Sequence, residues 1–277
     1  MIDYHMHTDY TEDAEGKVED YCKIADKKGI EEIAFTNHFI IINKNKPRWT
    51  IMPGEIAKHL KDIESAKKKF NVKIKTGLEV DYWKARNKEI DDVLSNHQFD
   101  FLLGSVHYIG DYLIGGTKEE ASEFFKNKSM IEIYEAYFAR VVETIESQLF
   151  DVIAHPDYIR KNIVKYFGKE LSFEEYRKSA EKVIEALIDN KVGIEVNSSG
   201  YFHGLGDSFP TSDFLKTCLE SGVKVITIGS DSHRPSTVGS NLKKVVEKLT
   251  KNDCKKICSF DKRKPRKIDI ENIRKHK

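Results

Sequence analysis

The chain has 277 residues, 39% of them hydrophobic and 33% charged, with 46 Lys and Arg against 45 Asp and Glu. That length is enough for one large α/β domain with a well-buried core, and a formal net charge of +1 excludes a general attraction to nucleic acid or to an anionic membrane surface. No apolar run approaches the length of a membrane span and no signal peptide precedes the first strand, so the expected location is the cytoplasm.

The chain opens on Met1-Ile2-Asp3-Tyr4-His5-Met6-His7-Thr8, a short strand whose His5 and His7 project from one face. Residues 17–28 carry Val18, Tyr21, Cys22 and Ala25 at a helical period, and Gly29 is placed to end that helix. Glu32 to Thr36 reads as a buried strand leading into Asn37-His38. Phe39 to Pro53, with Pro47-Arg48-Trp49, has little periodicity; its length suits either a substrate-covering loop or a surface insertion packed by Trp49. Residues 55–70 form a helix on Ile56, Leu60, Ile63 and Phe70.

Val72 to Val80 alternates like a strand and delivers Glu79; Asp100 to Val106 is another, followed by His107. A long helix runs from Met130 to Leu149, and the short strand Asp151 to Ala154 hands over to His155-Pro156-Asp157. Ser172-x-x-Glu175 is a capping box that opens a helix to Asn190. Val192 to Val196 is the next strand, before Asn197-Ser198-Ser199-Gly200. A helix from about Ser212 ends at Gly222, and Lys224 to Ile228 leads into Gly229-Ser230-Asp231-Ser232-His233.

Strand and helix thus alternate seven times. Alternation at this spacing predicts parallel strands joined by crossover helices, and seven such units favour a closed or nearly closed barrel over an open sheet. No G-x-G-x-x-G or Walker-type loop supports a nucleotide-binding doubly wound fold. With no internal repeat and no low-complexity linker, a single domain over 1–277 is expected. Cys22, Cys218, Cys254 and Cys258 are few and scattered; Cys254-x3-Cys258 has no second Cys/His pair nearby, and free thiols are expected.

In a parallel barrel the carboxyl ends of all strands share one rim, where active sites sit. Six of the seven strands deliver ligand-type residues there: His5 and His7 with Asp13 beyond them, then His38, Glu79, His107, His155, and finally Asp231 and His233. Singly, each is explained by a helix cap or a surface ion pair; together they predict a multinuclear metal site. Nine ligands exceed what one or two ions need while solvent and substrate positions stay open, so three is the economical count. Oxygen and nitrogen donors without a thiolate suit zinc, iron or manganese.

Asp3-Tyr4-His5-Met6-His7-Thr8, Phe35-Thr36-Asn37-His38, Gly77-Leu78-Glu79-Val80-Asp81-Tyr82, Gly104-Ser105-Val106-His107, Ala154-His155-Pro156-Asp157 and Gly229-Ser230-Asp231-Ser232-His233 resemble, in order, the motifs of the PHP (polymerase and histidinol phosphatase) family. The resemblance runs from Ile2 to about Pro265 and is strongest to its stand-alone histidinol-phosphate phosphatases. It implies an α/β fold, a distorted seven-stranded parallel (β/α)7 TIM-like barrel, with three divalent transition-metal ions. By that analogy His5, His7, Glu79 and Asp231 hold the first; Glu79 bridges to a second held by His107 and His155; Asp13, His38 and His233 hold the third. Asp13 stands where many relatives carry histidine, and Asn37 replaces a frequent aspartate, which puts the support of His38 in question.

The expected chemistry is phosphomonoester hydrolysis. A hydroxide held between two cations is the nucleophile, which gives Glu79, Asp231 and His233 catalytic roles, and Asp231 or a metal-held water is a candidate to protonate the leaving alkoxide. Arg160 is the expected phosphate clamp. Relatives often carry an arginine after the Asn-x-Ser-Gly element, where this chain has Tyr201, Phe202 and His203; His203 is a candidate replacement or acid. Tyr158, with Tyr108 and Tyr201, is a candidate wall for an imidazole ring, and Asp157 and Asp207 are candidate acceptors for an ammonium.

The basic tail, with Lys262-Arg263-Lys264 and Arg266-Lys267, interleaves Phe260, Pro265, Ile268 and Ile270, and is read as an edge strand with a solvated lysine face. The expected activity is hydrolysis of L-histidinol phosphate in histidine biosynthesis, with a small phosphorylated substrate, no nucleic-acid or membrane partner, and room for a homo-oligomer. The rivals are a nucleotide phosphatase or proofreading nuclease of the same family, and a metal-binding regulatory protein without catalysis.

Overall fold

The computed structural model describes residues 1–41 and 49–275. Seven parallel strands lie side by side in chain order: Ile2–Asp3, Glu32–Phe35, Lys73–Asp81, Phe101–Ser105, Val152–Ile153, Gly193–Asn197 and Ile226–Gly229. The first and seventh meet across a seam, where the Tyr4 amide donates to the Ile228 carbonyl at 3.0 Å and the His7 amide to the Ser232 carbonyl at 2.9 Å. The barrel is therefore nearly closed, as the alternation predicts.

Period-two geometry sorts the opening segment: Ile2, Tyr4 and Met6 enter the apolar clusters, while His5 and His7 turn into the ligand cluster. Gly29, at φ +66°, caps the helix Val18–Lys28 as expected, and Glu175 accepts from the Ser172 amide at 2.8 Å to open the helix Phe173–Asn190. That helix packs on Met130–Glu146 through stacked Tyr134 and Tyr176 rings 4.5 Å apart.

Several elements lie outside the sequence reading. His38–Ile40 forms a strand of its own, pairing with the far end of the third barrel strand so that His38 stands opposite Glu79. A small hairpin, Tyr108–Ile109 with Tyr112–Leu113, and the helix Lys118–Phe125 rise over the carboxyl rim. The basic tail is the edge strand expected, Lys264–Asp269, but it pairs antiparallel with a strand that was not foreseen, Lys256–Asp261. Phe260 anchors this hairpin, packing on Phe101 at 4.8 Å while its amide donates to the Tyr4 hydroxyl at 2.8 Å. Pro265 is tolerated there because the strand is an edge. All four cysteines are free. Among the described residues no helix is long and apolar enough to cross a membrane.

Candidate metal centre

All nine ligand-type residues read from the sequence converge at the carboxyl ends of the strands. Glu79, fully buried at the middle of the rim, is the hub. One or the other of its oxygens lies 3.2 Å from His5 Nε2, 3.6 Å from His7 Nε2, 2.7 Å from His38 Nδ1, 3.7 Å from His107 Nε2 and 2.8 Å from His155 Nε2. Asp231 Oδ1 sits 3.5 Å from His5 Nε2 and 3.3 Å from His7 Nε2. Asp13 Oδ2 lies 3.4 Å from His38 Nε2 and 3.3 Å from His233 Nε2, its loop held by the Glu15 amide donating to the His233 carbonyl at 2.8 Å. Two of the nine need unusual backbone: His155 has φ +27° and Asp231 φ +57°, a left-handed conformation that non-glycine residues rarely hold outside functional sites.

Apart from the hydrogen bond between His155 Nε2 and Glu79 Oε1, much of this proximity is not hydrogen bonding. His5 Nε2, both ring nitrogens of His7, His38 Nδ1 and Glu79 Oε2 are buried without a hydrogen-bond partner, although several lie within 4 Å of one another. These atoms point at shared spaces rather than along donor–acceptor lines. Four groups of three donors each lie close enough to hold an ion: His5–His7–Asp231, His5–Glu79–His155, His38–Glu79–His107 and His7–His38–His233. Buried polar atoms left orphaned are rare and costly, so the donor set fits cations and little else.

The electrostatics agree. Burial opposes charge on Glu79, but His5, His38 and His107 outweigh it and hold the carboxyl well below its ordinary range. Asp231 is held low against burial by His5 and His7, and Asp13 by His38 and His233. Burial also disfavours charge on His5 and His38, yet Glu195, Asp231 and Glu79 push His5 well up, and Glu79 and Asp13 raise His38 to about 10. His7, buried and flanked by His38 and His233, is driven well down. The cluster attracts positive charge on one side and repels protons on the other, as an ion site does.

Two carboxylates missing from the sequence reading stand behind these ligands. Asp81 accepts from His107 Nδ1 at 2.9 Å and from Ser105 Oγ at 2.8 Å. Glu195, in the one barrel strand that supplies no ligand, lies 2.8 Å from His5 Nδ1. The signal for Glu195 was a lone carboxylate inside the strand Gly193–Asn197, and for Asp81 a second carboxylate two residues beyond Glu79. Asn37 does not touch His38 with its side chain: Oδ1 accepts from the Thr8 amide at 2.7 Å and Nδ2 lies 3.2 Å from His59 Nε2, fastening the His5–His7 segment instead.

The centre opens into a cavity of about 700 Å³, lined among others by Trp49, Glu120, Tyr158, Lys161, Phe202 and His203. Tyr158 and His203 are where the sequence placed them. Arg160 is not: its guanidinium is buried, bound to Glu170 at 2.7 and 3.3 Å and to the Ser208 carbonyl at 3.3 Å, and it does not reach the cavity. The next residue, Lys161, lines the cavity instead, because one step along a helix turns a side chain by about a quarter turn. Lys161 Nζ donates to the Tyr158 hydroxyl at 2.8 Å and to the Gly115 carbonyl at 2.9 Å.

Asp157 and Asp207 likewise face away. Asp157 is buried against Arg160 and the Thr211 amide, while Asp207 pairs with Lys248 and Ser212. Tyr201 lies outside the cavity under Lys244, and Tyr108 is buried but stacks on Trp49 at 5.9 Å. Trp49 in turn packs edge-on to His38 and His107. The expected covering loop over Phe39 to Pro53 falls partly outside the described residues; of its Pro47-Arg48-Trp49, Trp49 lies within them and reaches the cavity.

Fold and site together define a parallel α/β barrel with a histidine–carboxylate cluster able to hold metal ions at its carboxyl rim. The chain belongs to the PHP domain family, whose model matches residues 3–199. It is 28% identical over 270 residues to "Probable histidinol-phosphatase" of Clostridium acetobutylicum, covering 95% of this chain and 98% of that one. It is 27% identical over 240 residues to the histidinol-phosphatase of Lactococcus lactis, covering 84% of each. The crystal structure of the Lactococcus lactis histidinol phosphate phosphatase, complexed with zinc, L-histidinol and phosphate, superposes with a TM-score of 0.82 at 25% identity, covering 96% of this chain and 98% of that one.

Proposed function

We propose that this protein is a cytoplasmic, metal-dependent phosphomonoesterase that converts L-histidinol phosphate to L-histidinol and phosphate in histidine biosynthesis. The observation that carries the reading is the convergence of nine donors, with orphaned buried atoms among them, at the floor of a cavity with a half-buried ammonium on its wall. The similarity to a phosphatase whose structure holds zinc, histidinol and phosphate supports the substrate.

In this reading three ions, zinc, iron or manganese, are held by His5, His7, Glu79 and Asp231; by Glu79, His107 and His155; and by Asp13, His38 and His233. When bound, they supply charge that neutralises the phosphate and activates solvent for attack. Lys161 meets the phosphate from the cavity wall, with the Tyr158 hydroxyl holding its ammonium in place. Burial, aided by Lys161, brings His203 down to about 3, so it reads the substrate as a neutral imidazole rather than as a charged acid. Glu120 takes the role first assigned to Asp157 and Asp207, an acceptor for the substrate ammonium, and Trp49 and Phe202 wall the ring.

The test compares kcat/KM for histidinol phosphate, a nucleoside monophosphate and p-nitrophenyl phosphate under one metal condition. One lost buried polar partner costs about 1–3 kcal/mol, so histidinol phosphate should lead by roughly tenfold or more. A nucleotide in the lead refutes the substrate and leaves the family intact.

A further inference from the structure

Glu195 is fully buried in the sixth barrel strand, and three donors satisfy it. Oε1 lies 2.8 Å from His5 Nδ1, while Oε2 accepts from the His155 amide at 3.0 Å and from Asn197 Nδ2 at 2.9 Å. The space it occupies exists because residue 229 is glycine: a Cβ there would collide with Glu195 Oε1 and come within 2.5 Å of His5 Cβ.

We propose that Glu195 is the positioning residue of the metal centre, fixing His5 in the tautomer that carries its proton on Nδ1 and tying His5 to His155. The inference rests on the metal centre described above. A carboxylate at Nδ1 keeps the proton there, so Nε2 is the nitrogen left to give its lone pair to an ion. That nitrogen has no hydrogen-bond partner and faces Glu79 Oε2 at 3.2 Å and Asp231 Oδ1 at 3.5 Å. When that nitrogen gives up its proton, lone pairs of three side chains converge on one space, an arrangement that a cation resolves.

A carboxylate behind a ligating histidine orients the ring and raises its basicity. Glu195 does more than serve one ring. Through the His155 amide it also sets the backbone from which a second ligand projects, at the position with φ +27°. One side chain thereby places donors from the first and fifth strands on either side of Glu79. Gln is nearly isosteric at this position, but it lacks the charge and presents an NH2 to one of the three donors it must meet.

The experiment measures zinc affinity by competition with a chromogenic chelator, on full-length wild type and Glu195→Gln stripped and refilled in parallel. The variant should weaken binding by about 10- to 100-fold while its metal-free far-UV circular dichroism matches wild type. Affinity within about threefold of wild type in a folded variant overturns the proposal. Should the variant not fold, ¹⁵N spectra of labelled histidine in zinc-loaded wild type decide: His5 protonated at Nδ1 and metallated at Nε2 supports it, and the reverse overturns it. Wild type that takes up no zinc overturns the metal reading itself, a result distinct from equal affinities in the two proteins.

Discussion

Lys161 offers the sharpest quantitative test of the site. Its Nζ meets two neutral acceptors, the Tyr158 hydroxyl at 2.8 Å and the Gly115 carbonyl at 2.9 Å, and among the described residues no carboxylate forms an ion pair with it. Burial, together with neighbouring Lys165, brings its pKa down to about 8. Asp231 and Glu120 act on this ammonium only from beyond contact distance, so the place of a contacting anion is open to the substrate phosphate. Lys161→Met keeps the stem and removes the charge. Losing a charge-assisted hydrogen bond costs about 1.5–3 kcal/mol, which is roughly a 10- to 150-fold fall in kcat/KM. Because kcat/KM reports ionisations of the free enzyme, wild type should also lose activity as pH rises through about 8, as the ammonium gives up its proton. Lys161→Arg, whose guanidinium stays charged, should remove that alkaline limb. The assay is a pH profile of kcat/KM for the three proteins at matched metal content. Lys161→Met within about threefold of wild type, or an alkaline limb unchanged in Lys161→Arg, refutes the assignment.

Glu79→Ala, which removes the hub shared by five histidines, should strip at least two ions and abolish turnover; full metal content with only a raised KM would contradict that role. Arg160→Met should act on stability rather than on substrate, because it leaves buried Asp157 without its cation. Breaking such a pair costs about 3–5 kcal/mol, measured by urea unfolding, while KM stays within about threefold. Asp157 is raised by burial, against the opposing charge of Arg160, from 3.8 to about 6. The folded state thus holds this proton more tightly than the unfolded one, so its contribution is present below pH 3.8 and is lost as pH rises through about 6. Asp157→Asn should flatten the stability curve across that window, and an unchanged slope in urea titrations would refute the assignment.

The ligands were legible because each follows a strand, and parallel strands bring their carboxyl ends together whatever lies between them. No knowledge of side-chain direction was needed to gather His5, Glu79, His155 and Asp231. Residues carried on helices and long loops were harder, since one step of helical rotation separates a cavity residue from a core one. Arg160 and Lys161 differ by that step, and the sequence reading favoured the guanidinium for its chemistry. Asp157 and Asp207 stand near the rim in sequence, but local partners, Arg160 and Lys248, claim their carboxylates. Glu195 escaped notice because a carboxylate inside the strand reads as an exception to an apolar run, until the ring it faces is known. The strand His38–Ile40 was hidden by its position, pairing with the end of a strand whose beginning is already taken by Glu32–Phe35.

The seam between the first and seventh strands bears on how the protein comes to be active. His5 and His7 stand on one side of it, Asp231 and His233 on the other, and the Tyr4–Ile228 hydrogen bond beside them joins segments from opposite ends of the chain. Such a junction joins residues far apart in sequence and carries a large loop-closure entropy. During synthesis, strands three to five can already bring Glu79, His107 and His155 into register, but the His5–His7–Asp231 group waits for the last strand to emerge. An ion held there would act as a clasp on the finished barrel, adding to the stability of the native state by mass action. The group is thus complete only where the first and last barrel strands are both in place.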